Sequence, residues 1–163
     1  MTIRHATIDD LDIITLIETA SFHKTEAAKK EEIKDRLELN GDFFWLLDDC
    51  GEVLSFVHGL PTNAVNLTDD MFHTPEKYDV NGAWLMLLSV ATHPFHRYRG
   101  YAQRVMRQVI DDSREQGRKG LVLTCKDHLI PFYQKFGFKS EGKSDSTHGG
   151  AVWYQMRLTF DNQ

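Results

Sequence analysis

The fold is decided by residues 83–110, AWLMLLSVATHPFHRYRGYAQRVMRQVI. Residues 83–92 are almost continuously apolar, which is typical of a strand buried on both faces of a mixed sheet. A helix is predicted from Gly100, because apolar residues recur there at i, i+3, i+4, i+7 and i+8: Ala102, Val105, Met106, Val109 and Ile110. Gly117 ends it at a C-terminal cap position. The stretch therefore predicts a buried strand, a turn and an amphipathic helix.

The rest of the chain supplies further strands and helices in a regular order. Outside the deciding stretch, strands are predicted at residues 3–6, 43–47, 53–60, 121–123, 138–141 and 152–159, and helices at residues 8–20, 26–39 and 128–136. Thr7, three residues before Asp10, gives the first helix a capping-box start. The order predicts an α/β (α+β) fold with a mixed central sheet of about seven strands and about four helices, built as one domain over residues 1–163.

Composition narrows the possible partners. The 163 residues are 41% hydrophobic and 26% charged, as in folded proteins, and the formal net charge of −5 argues against nucleic acid. The sequence MTIRHATIDD has no apolar segment of the signal-peptide kind, which predicts a cytoplasmic protein without membrane contact. Cys50 and Cys125 form no metal or redox motif, and the histidines lack metal-binding spacing, so no metal is predicted.

The turn between the buried strand and the long helix has the chemistry of an anion site. The first turn of a helix carries unpaired N–H groups and a partial positive charge. Gly100 allows a phosphate to approach the backbone closely, and Ala102 leaves room beside it. The string R-x-x-G-x-A alone also fits an ordinary helix start. Its place after a buried strand favours phosphate binding.

These residues resemble the GNAT superfamily of N-acetyltransferases. Arg97, Gly100 and Ala102 match its R/Q-x-x-G-x-G/A signature, and LSVATHP before them is similar to the family's strand end. A second segment, LTCKDHLIPFYQKFGF at residues 123–138, is similar to the family's next strand and helix. Residues 129–138 are most similar to the arylalkylamine (serotonin-type) N-acetyltransferases, and SFHKTEAA at residues 21–28 resembles the substrate-side motif of their relatives.

The resemblance implies a GNAT-type fold and acetyl-CoA as cosubstrate. Backbone N–H groups of six residues would hold its pyrophosphate: Tyr98, Arg99, Gly100, Tyr101, Ala102 and Gln103. Val90 and Thr92 would hydrogen-bond the pantetheine arm as though it were an added strand. Phe132 is also assigned to the cofactor.

The resemblance implies two catalytic residues as well. Tyr133 aligns with the tyrosine that protonates the departing thiolate; without the resemblance it reads as a partly buried aromatic residue. Glu26 is the candidate base for the ammonium, directly or through water, although a carboxylate near a helix start is common anyway. His58 is a weaker candidate.

Two departures from the arylalkylamine pattern are visible. Met86 and Leu88 occupy the positions of that group's paired histidines, so the histidine proton relay is absent. Lys126 lies near the position where the superfamily often has an asparagine.

The prediction is transfer of acetyl from acetyl-CoA to the primary amine of a small molecule, by direct attack in a ternary complex. Four aromatic residues favour an arylalkylamine acceptor, although they fit a core equally well: Phe22, Phe56, Phe72 and Trp84. Asp69, Asp70 and Asp79 could attract its cation or serve as solvated turn residues. The alternatives are a polyamine, an aminoglycoside or a protein N-terminus as acceptor, or an acyl-CoA sensor. A monomer and a homodimer both fit.

Overall fold

The structure is a computed structural model that describes residues 1–161. The strands are β1 (Thr2–His5), β2 (Phe44–Asp49), β3 (Glu52–Thr62), β4 (Trp84–Thr92), β5 (Gly120–Cys125), β6 (Lys139–Lys143) and β7 (Tyr154–Thr159). The α-helices are α1 (Leu11–Ser21), α2 (Lys30–Asn40), α3 (Tyr101–Glu115) and α4 (Ile130–Gln134). Short 3₁₀ helices include Ile8–Asp10, Asp69–Phe72 and Pro94–His96.

The strands form one seven-stranded mixed sheet in the order β1-β2-β3-β4-β5-β7-β6. The β1–β2, β2–β3, β5–β7 and β6–β7 pairs are antiparallel, and β4–β5 is parallel. The parallel register runs from Trp84 opposite Gly120 to Met86 opposite Val122. The predicted element order and the sheet of seven strands with four helices are therefore confirmed.

The chain divides into two compact units. The first comprises Met1–Gly59 and Ser89–Val109. Its core joins α1 and α2 to strand residues and is formed by Ala6, Ile14, Ile17, Ile33, Leu37, Phe44, Leu46, Val53, Phe56 and Ala91. The Thr7 capping box is present, because the Thr7 N–H donates to Asp10 Oδ2 (2.9 Å).

The second unit comprises Leu60–Leu88 and Ile110–Gln163. Its core is formed by Leu60, Leu67, Met71, Trp84, Met86 and Val122. Buried Arg118 donates to the carbonyls of Gly82 and Val80, which fixes the chain just before β4. Each unit has its own core, and a single domain over residues 1–163 stays a prediction.

The predicted start of the second helix is wrong by four residues. Residues 24–26 form a turn in which the N–H groups of Glu26 and Ala27 both donate to His23 O. The helix begins only at Lys30, where Glu32 accepts the N–H of Lys29 at 3.0 Å. Glu26 therefore lies in a loop rather than in a helix.

His58, weighed above as a base, is a core residue of β3. It is 5% exposed, its ring stacks on Phe44 at 3.9 Å, and its Nδ1 donates to Phe43 O at 3.0 Å. Burial, with the positive charge of Arg36 adding to it, lowers the pKa of His58 well below its ordinary value. His58 is therefore a neutral structural side chain.

This burial predicts a pH dependence of stability. The unfolded chain binds a proton at His58 near its ordinary pKa of about 6.5, whereas the folded chain does so only at lower pH. The free energy of unfolding should therefore fall as pH drops below about 6.5, with His58 contributing up to roughly 1.4 kcal/mol per pH unit. The variant His58→Asn keeps an N–H that can donate to Phe43 O. When its free energy of unfolding is measured by urea titration at several pH values, it should depend less steeply on pH than that of the wild type. The exposed control His128→Asn should keep the wild-type slope, and equal slopes in all three proteins contradict the assignment.

Candidate active site

The turn after β4 is positioned by Arg97. Its Nη2 donates to Ala20 O at 3.0 Å and approaches Ser21 Oγ at 3.4 Å, and its Nε approaches Thr92 O at 3.4 Å. A guanidinium offers several donors in a fixed plane, so one side chain can join separate backbone segments. Arg97 thereby fastens the turn to the end of α1 and to the end of β4.

The turn itself has an unusual backbone. Tyr98 has a φ of 65° and Gly100 a φ of 77°, both in the left-handed region. That region strains a residue with a Cβ, and the side chain of Tyr98 is fully exposed. Apart from the two chain neighbours of Gly100, no atom of residues 1–161 lies within 4 Å of where a Cβ at this position would stand. The turn is open to solvent on that side.

The backbone N–H groups of this turn are available to a ligand. The N–H of Arg104 donates to Gly100 O at 3.1 Å and begins the helical ladder. Within residues 1–161, no acceptor takes a hydrogen bond from the N–H groups of Tyr98 to Gln103. Left-handed residues and a helix start together direct several N–H groups to one place, which suits an anion.

The end of β4 directs alternate backbone groups to its two edges. His93 N–H donates to Leu54 O at 2.8 Å, and Ser55 Oγ donates to Ala91 O at 2.7 Å, so residues 91 and 93 face β3. Because the direction alternates along a strand, Val90 and Thr92 present their N–H and C=O groups to the opposite edge. The register with β5 ends at Met86, four residues before Val90.

Those two predicted cofactor residues are not equivalent. Thr92 O already accepts from Arg97 Nε and, at 3.5 Å, from Ser21 Oγ. Thr92 Oγ1 also lies 3.1 Å from Ser55 Oγ. The backbone of Val90 therefore has more freedom to bind a ligand than that of Thr92.

Tyr133 lies in α4, buried at 7% exposure. Its ring meets Phe132 and Phe138 edge-on, with centroids 5.0 and 5.9 Å away. Burial raises the pKa of the phenol well above its ordinary value, and nearby Cys125 raises it further. The hydroxyl is therefore held in its protonated form. Phe132 is half-buried and forms a second edge contact with Phe136.

Neither cysteine has the setting of a nucleophile. Burial, with the charge of Asp127 adding to it, raises the pKa of Cys125 to about 11, so its thiol stays protonated near neutral pH. Cys50 is exposed in the β2–β3 turn with a φ of 53°.

The structure separates the four aromatic residues expected around an acceptor. Phe56 and Trp84 belong to the two cores, and their use as a pocket wall is wrong because their rings are buried against other side chains. Phe22 is half-buried against the core of the first unit. Phe72 is half-buried in the second unit and stacks on His148 at 4.6 Å.

Asp69, Asp70 and Asp79, between β3 and β4, mainly hold loops of the second unit in place. Asp69 accepts from Ser146 Oγ and Thr147 N–H, and Asp79 accepts from Asn63 Nδ2 and Asn81 N–H. Asp70 accepts from Thr68 Oγ1, which lowers the pKa of its carboxyl.

The second unit also holds a pocket of about 370 Å³, lined by Asn66, Leu67, Thr68, Asp69, Glu141, Lys143, Ser144, Asp145, Ser146 and Gln155. Its lining is polar rather than aromatic.

Sequence reasoning missed a buried carboxylate in α1. Glu18 is 4% exposed, accepts from Ala28 N–H at 2.9 Å and from Ser89 Oγ at 2.8 Å. A signal was present in the sequence, because Glu18 follows Ile14 by four residues and so interrupts the apolar face of the helix.

Metal-binding clusters and membrane-spanning helices are both absent from residues 1–161. Among the described residues, no group of three or more His, Cys, Asp or Glu side chains is arranged to hold a metal ion. None of the helices within residues 1–161 has the length and apolar character needed to cross a membrane.

Comparison with solved structures shows the fold. The loading GNATL domain of CurA from Lyngbya majuscula superposes with a TM-score of 0.81 at 17% identity, covering 97% of this chain and 96% of that one. The yncA protein of Salmonella typhimurium, solved with its cofactor acetyl-CoA, superposes with a TM-score of 0.71 at 19% identity, covering 100% and 95%.

Comparison of sequences shows the family. Human N-acetyltransferase 8 is 26% identical over 114 residues, which are 68% of this chain and 44% of that protein. The chain thus matches less than half the length of this curated relative. Residues 11–138, well over half of the chain, match the acetyltransferase (GNAT) family, and the protein belongs to that family.

Proposed function

We propose that the protein binds acetyl-CoA and transfers its acetyl group to a primary amine. The observation that carries this proposal is the turn from Arg97 to Ala102, where N–H groups that have no acceptor within residues 1–161 lead into α3, a few residues after the end of the buried strand β4. In a member of the acetyltransferase family, that arrangement suits the pyrophosphate of coenzyme A. The N–H groups of Tyr98 to Gln103 hold the phosphate oxygens.

The pantetheine arm adds to the edge of β4 at which Val90 presents its N–H and C=O groups. Val90 provides the main hydrogen bonds, since the carbonyl of Thr92 is shared with Arg97 and Ser21. An extended arm that pairs with a strand edge gains backbone hydrogen bonds independently of side chains. We assign Phe132 to an apolar contact with the cofactor on the strength of the family resemblance.

The chemistry we propose is direct attack. A neutral amine nitrogen bonds to the thioester carbon, the C–S bond breaks, and the sulfur takes a proton from the Tyr133 hydroxyl. The nitrogen gives up its surplus proton as it becomes an amide, and that proton restores the Tyr133 hydroxyl. Burial keeps that hydroxyl protonated until the thiolate forms. Glu26 takes the proton that the ammonium must lose, directly or through water. The protonated, buried thiol of Cys125 favours this route over an acetyl-cysteine intermediate.

We propose an arylalkylamine as the acceptor, on the similarity of residues 129–138 to that group. Phe22 and Phe72 are the half-buried aromatic residues that remain for it. A polyamine is the second candidate. The polar pocket beside Asp69 favours it, because three carboxylates and one lysine line that pocket.

Gly100→Ala should weaken binding of coenzyme A at least tenfold in calorimetry. The new methyl group meets no atom of residues 1–161 beyond the two chain neighbours of Gly100, so apart from the backbone strain at a φ of 77° it obstructs a ligand that approaches the turn. Gly117→Ala is the matched control, because Gly117 has a φ of 79°, equally open surroundings and a place at the other end of α3. Both variants should lose similar stability, about 1 kcal/mol. Equal affinity in Gly100→Ala and Gly117→Ala contradicts the phosphate assignment.

Acetyl transfer should be detected as thiol release with a panel of phenethylamine, tyramine, tryptamine, spermidine, an aminoglycoside and a short peptide. Tyr133→Phe should lower kcat about 100-fold without changing coenzyme A affinity, because only the proton donor is lost. Tyr154→Phe, on β7, should keep wild-type kcat. Turnover of spermidine alone replaces the arylalkylamine proposal with the polyamine one. Binding of coenzyme A without any turnover rejects the transferase proposal.

Glu26→Gln should lower kcat/KM about 100-fold near pH 7. The deficit should shrink as pH rises toward the pKa of the amine, because the substrate then arrives already deprotonated. Glu31→Gln, exposed in the first turn of α2, should match wild type throughout. A deficit that is constant with pH argues against Glu26 as the base.

A further inference from the structure

We infer that Glu18 is a positioning residue that fastens the loop of residues 22–29 to β4 and so sets the affinity for the acceptor amine. This inference rests on the proposed function, because it concerns the loop that carries the proposed base, Glu26. Glu18 is a carboxylate on the face of α1 where an apolar side chain is expected.

Glu18 lies inside the first unit on the apolar side of α1. It is 4% exposed, while Ile14 and Ile17 beside it are fully buried. Burying a carboxylate costs free energy that an apolar side chain of similar size avoids, unless hydrogen bonds and a counter-charge offset it. The contacts of Glu18 therefore explain its presence.

The two carboxylate oxygens hold two different segments. Oε2 accepts the backbone N–H of Ala28 at 2.9 Å, and Oε1 accepts the hydroxyl of Ser89 at 2.8 Å. Hydrogen bonds to a charged acceptor are shorter and about twice as strong as neutral ones. One side chain thus joins α1, the loop of residues 22–29 and β4.

A counter-charge lies nearby on α2. The guanidinium of Arg36 is desolvated, which lowers its pKa, while the charges of Glu18 and Glu32 act in the opposite direction. The positive charge of Arg36 therefore partly compensates the negative charge of Glu18 within the same unit.

The two hydrogen-bond partners of Glu18 lie next to residues that we assign to the proposed active site. Ala28 is two residues after Glu26, and Ser89 directly precedes Val90, whose backbone we assign to the pantetheine arm. The turn at residues 23–27 is closed locally by the bonds of Glu26 and Ala27 to His23 O. Glu18 fixes this preformed turn to the strand that presents the acetyl donor.

Loss of the link should act on acceptor affinity. If the loop is free to leave its position, only a fraction of molecules is ready to bind the amine, and the apparent affinity falls by that fraction. At saturating amine concentration the bound amine returns the loop to its binding position, so kcat is retained. Glu18→Ala should therefore raise KM for the amine about tenfold, with kcat and KM for acetyl-CoA within about twofold of wild type.

Glu18→Gln should recover most of the affinity. Its amide oxygen can accept from Ala28 N–H, and its NH₂ can donate to Ser89 Oγ, because a hydroxyl also accepts. Glu38→Gln, the same chemical change on the exposed face of α2, is the matched control and should behave as wild type.

Hydrogen exchange followed by mass spectrometry tests the link without any turnover. In Glu18→Ala, peptides covering residues 22–29 should exchange faster than in wild type, while peptides of β5 and β7 stay unchanged. Glu18→Gln serves as the folded comparison if Glu18→Ala does not fold, and it should exchange only slightly faster than wild type.

Unchanged exchange at residues 22–29 in both variants overturns the link. Faster exchange with an unchanged KM for the amine overturns its role in acceptor affinity and leaves Glu18 a structural residue. If the wild-type protein acetylates no amine, the proposed function fails first, and the acceptor role falls with it. The exchange result then still decides whether Glu18 fastens the loop.

Discussion

A helix cannot satisfy its first N–H groups internally, and the structure uses this constraint in the open turn before α3. The N–H groups of Tyr98 to Gln103 have no acceptor in the described part of the chain, and two left-handed residues shape the turn that presents them. Arg97 makes the arrangement stable, since it bonds the turn to Ala20 and Thr92. The strain at Tyr98 is thus supported by contacts outside the turn.

Two of the buried ionisable side chains in the same unit, His58 and Glu18, have different roles. His58 is held neutral by burial and by Arg36, and it serves the packing of β3. Glu18 stays bonded to Ala28 and Ser89, two segments that an apolar residue could not connect. The hydrogen bonds of a buried polar group offset the cost of its desolvation when they are well directed and every donor and acceptor is satisfied. Burial alone therefore does not distinguish a core residue from a positioning residue. The distinction comes from the groups to which the side chain is hydrogen-bonded.

Local signals in the sequence predicted local structure well. The capping box of Thr7 and Asp10, the apolar strand β4 and the amphipathic spacing in α3 each depend on residues a few positions apart. The start of α2 was predicted four residues too early. Backbone hydrogen bonds to His23 O form a turn there, and this turn competes with the helix. The contacts of Arg97 and Glu18 could not be predicted for another reason: their partners Ala20 and Ser89 lie 77 and 71 residues away along the chain. Phe56 and Trp84 were ambiguous because a core and a pocket wall call for the same aromatic side chains.

We propose that the turn before α3 binds the pyrophosphate of coenzyme A through its backbone N–H groups. A titration of ¹⁵N-labelled protein with coenzyme A, followed by two-dimensional NMR, tests this proposal residue by residue. The amide signals of residues 98–103 and of Val90 should shift saturably, with little change at the amides of β1 and β2. Saturable binding that leaves the signals of residues 98–103 in place, or no binding at all, contradicts it.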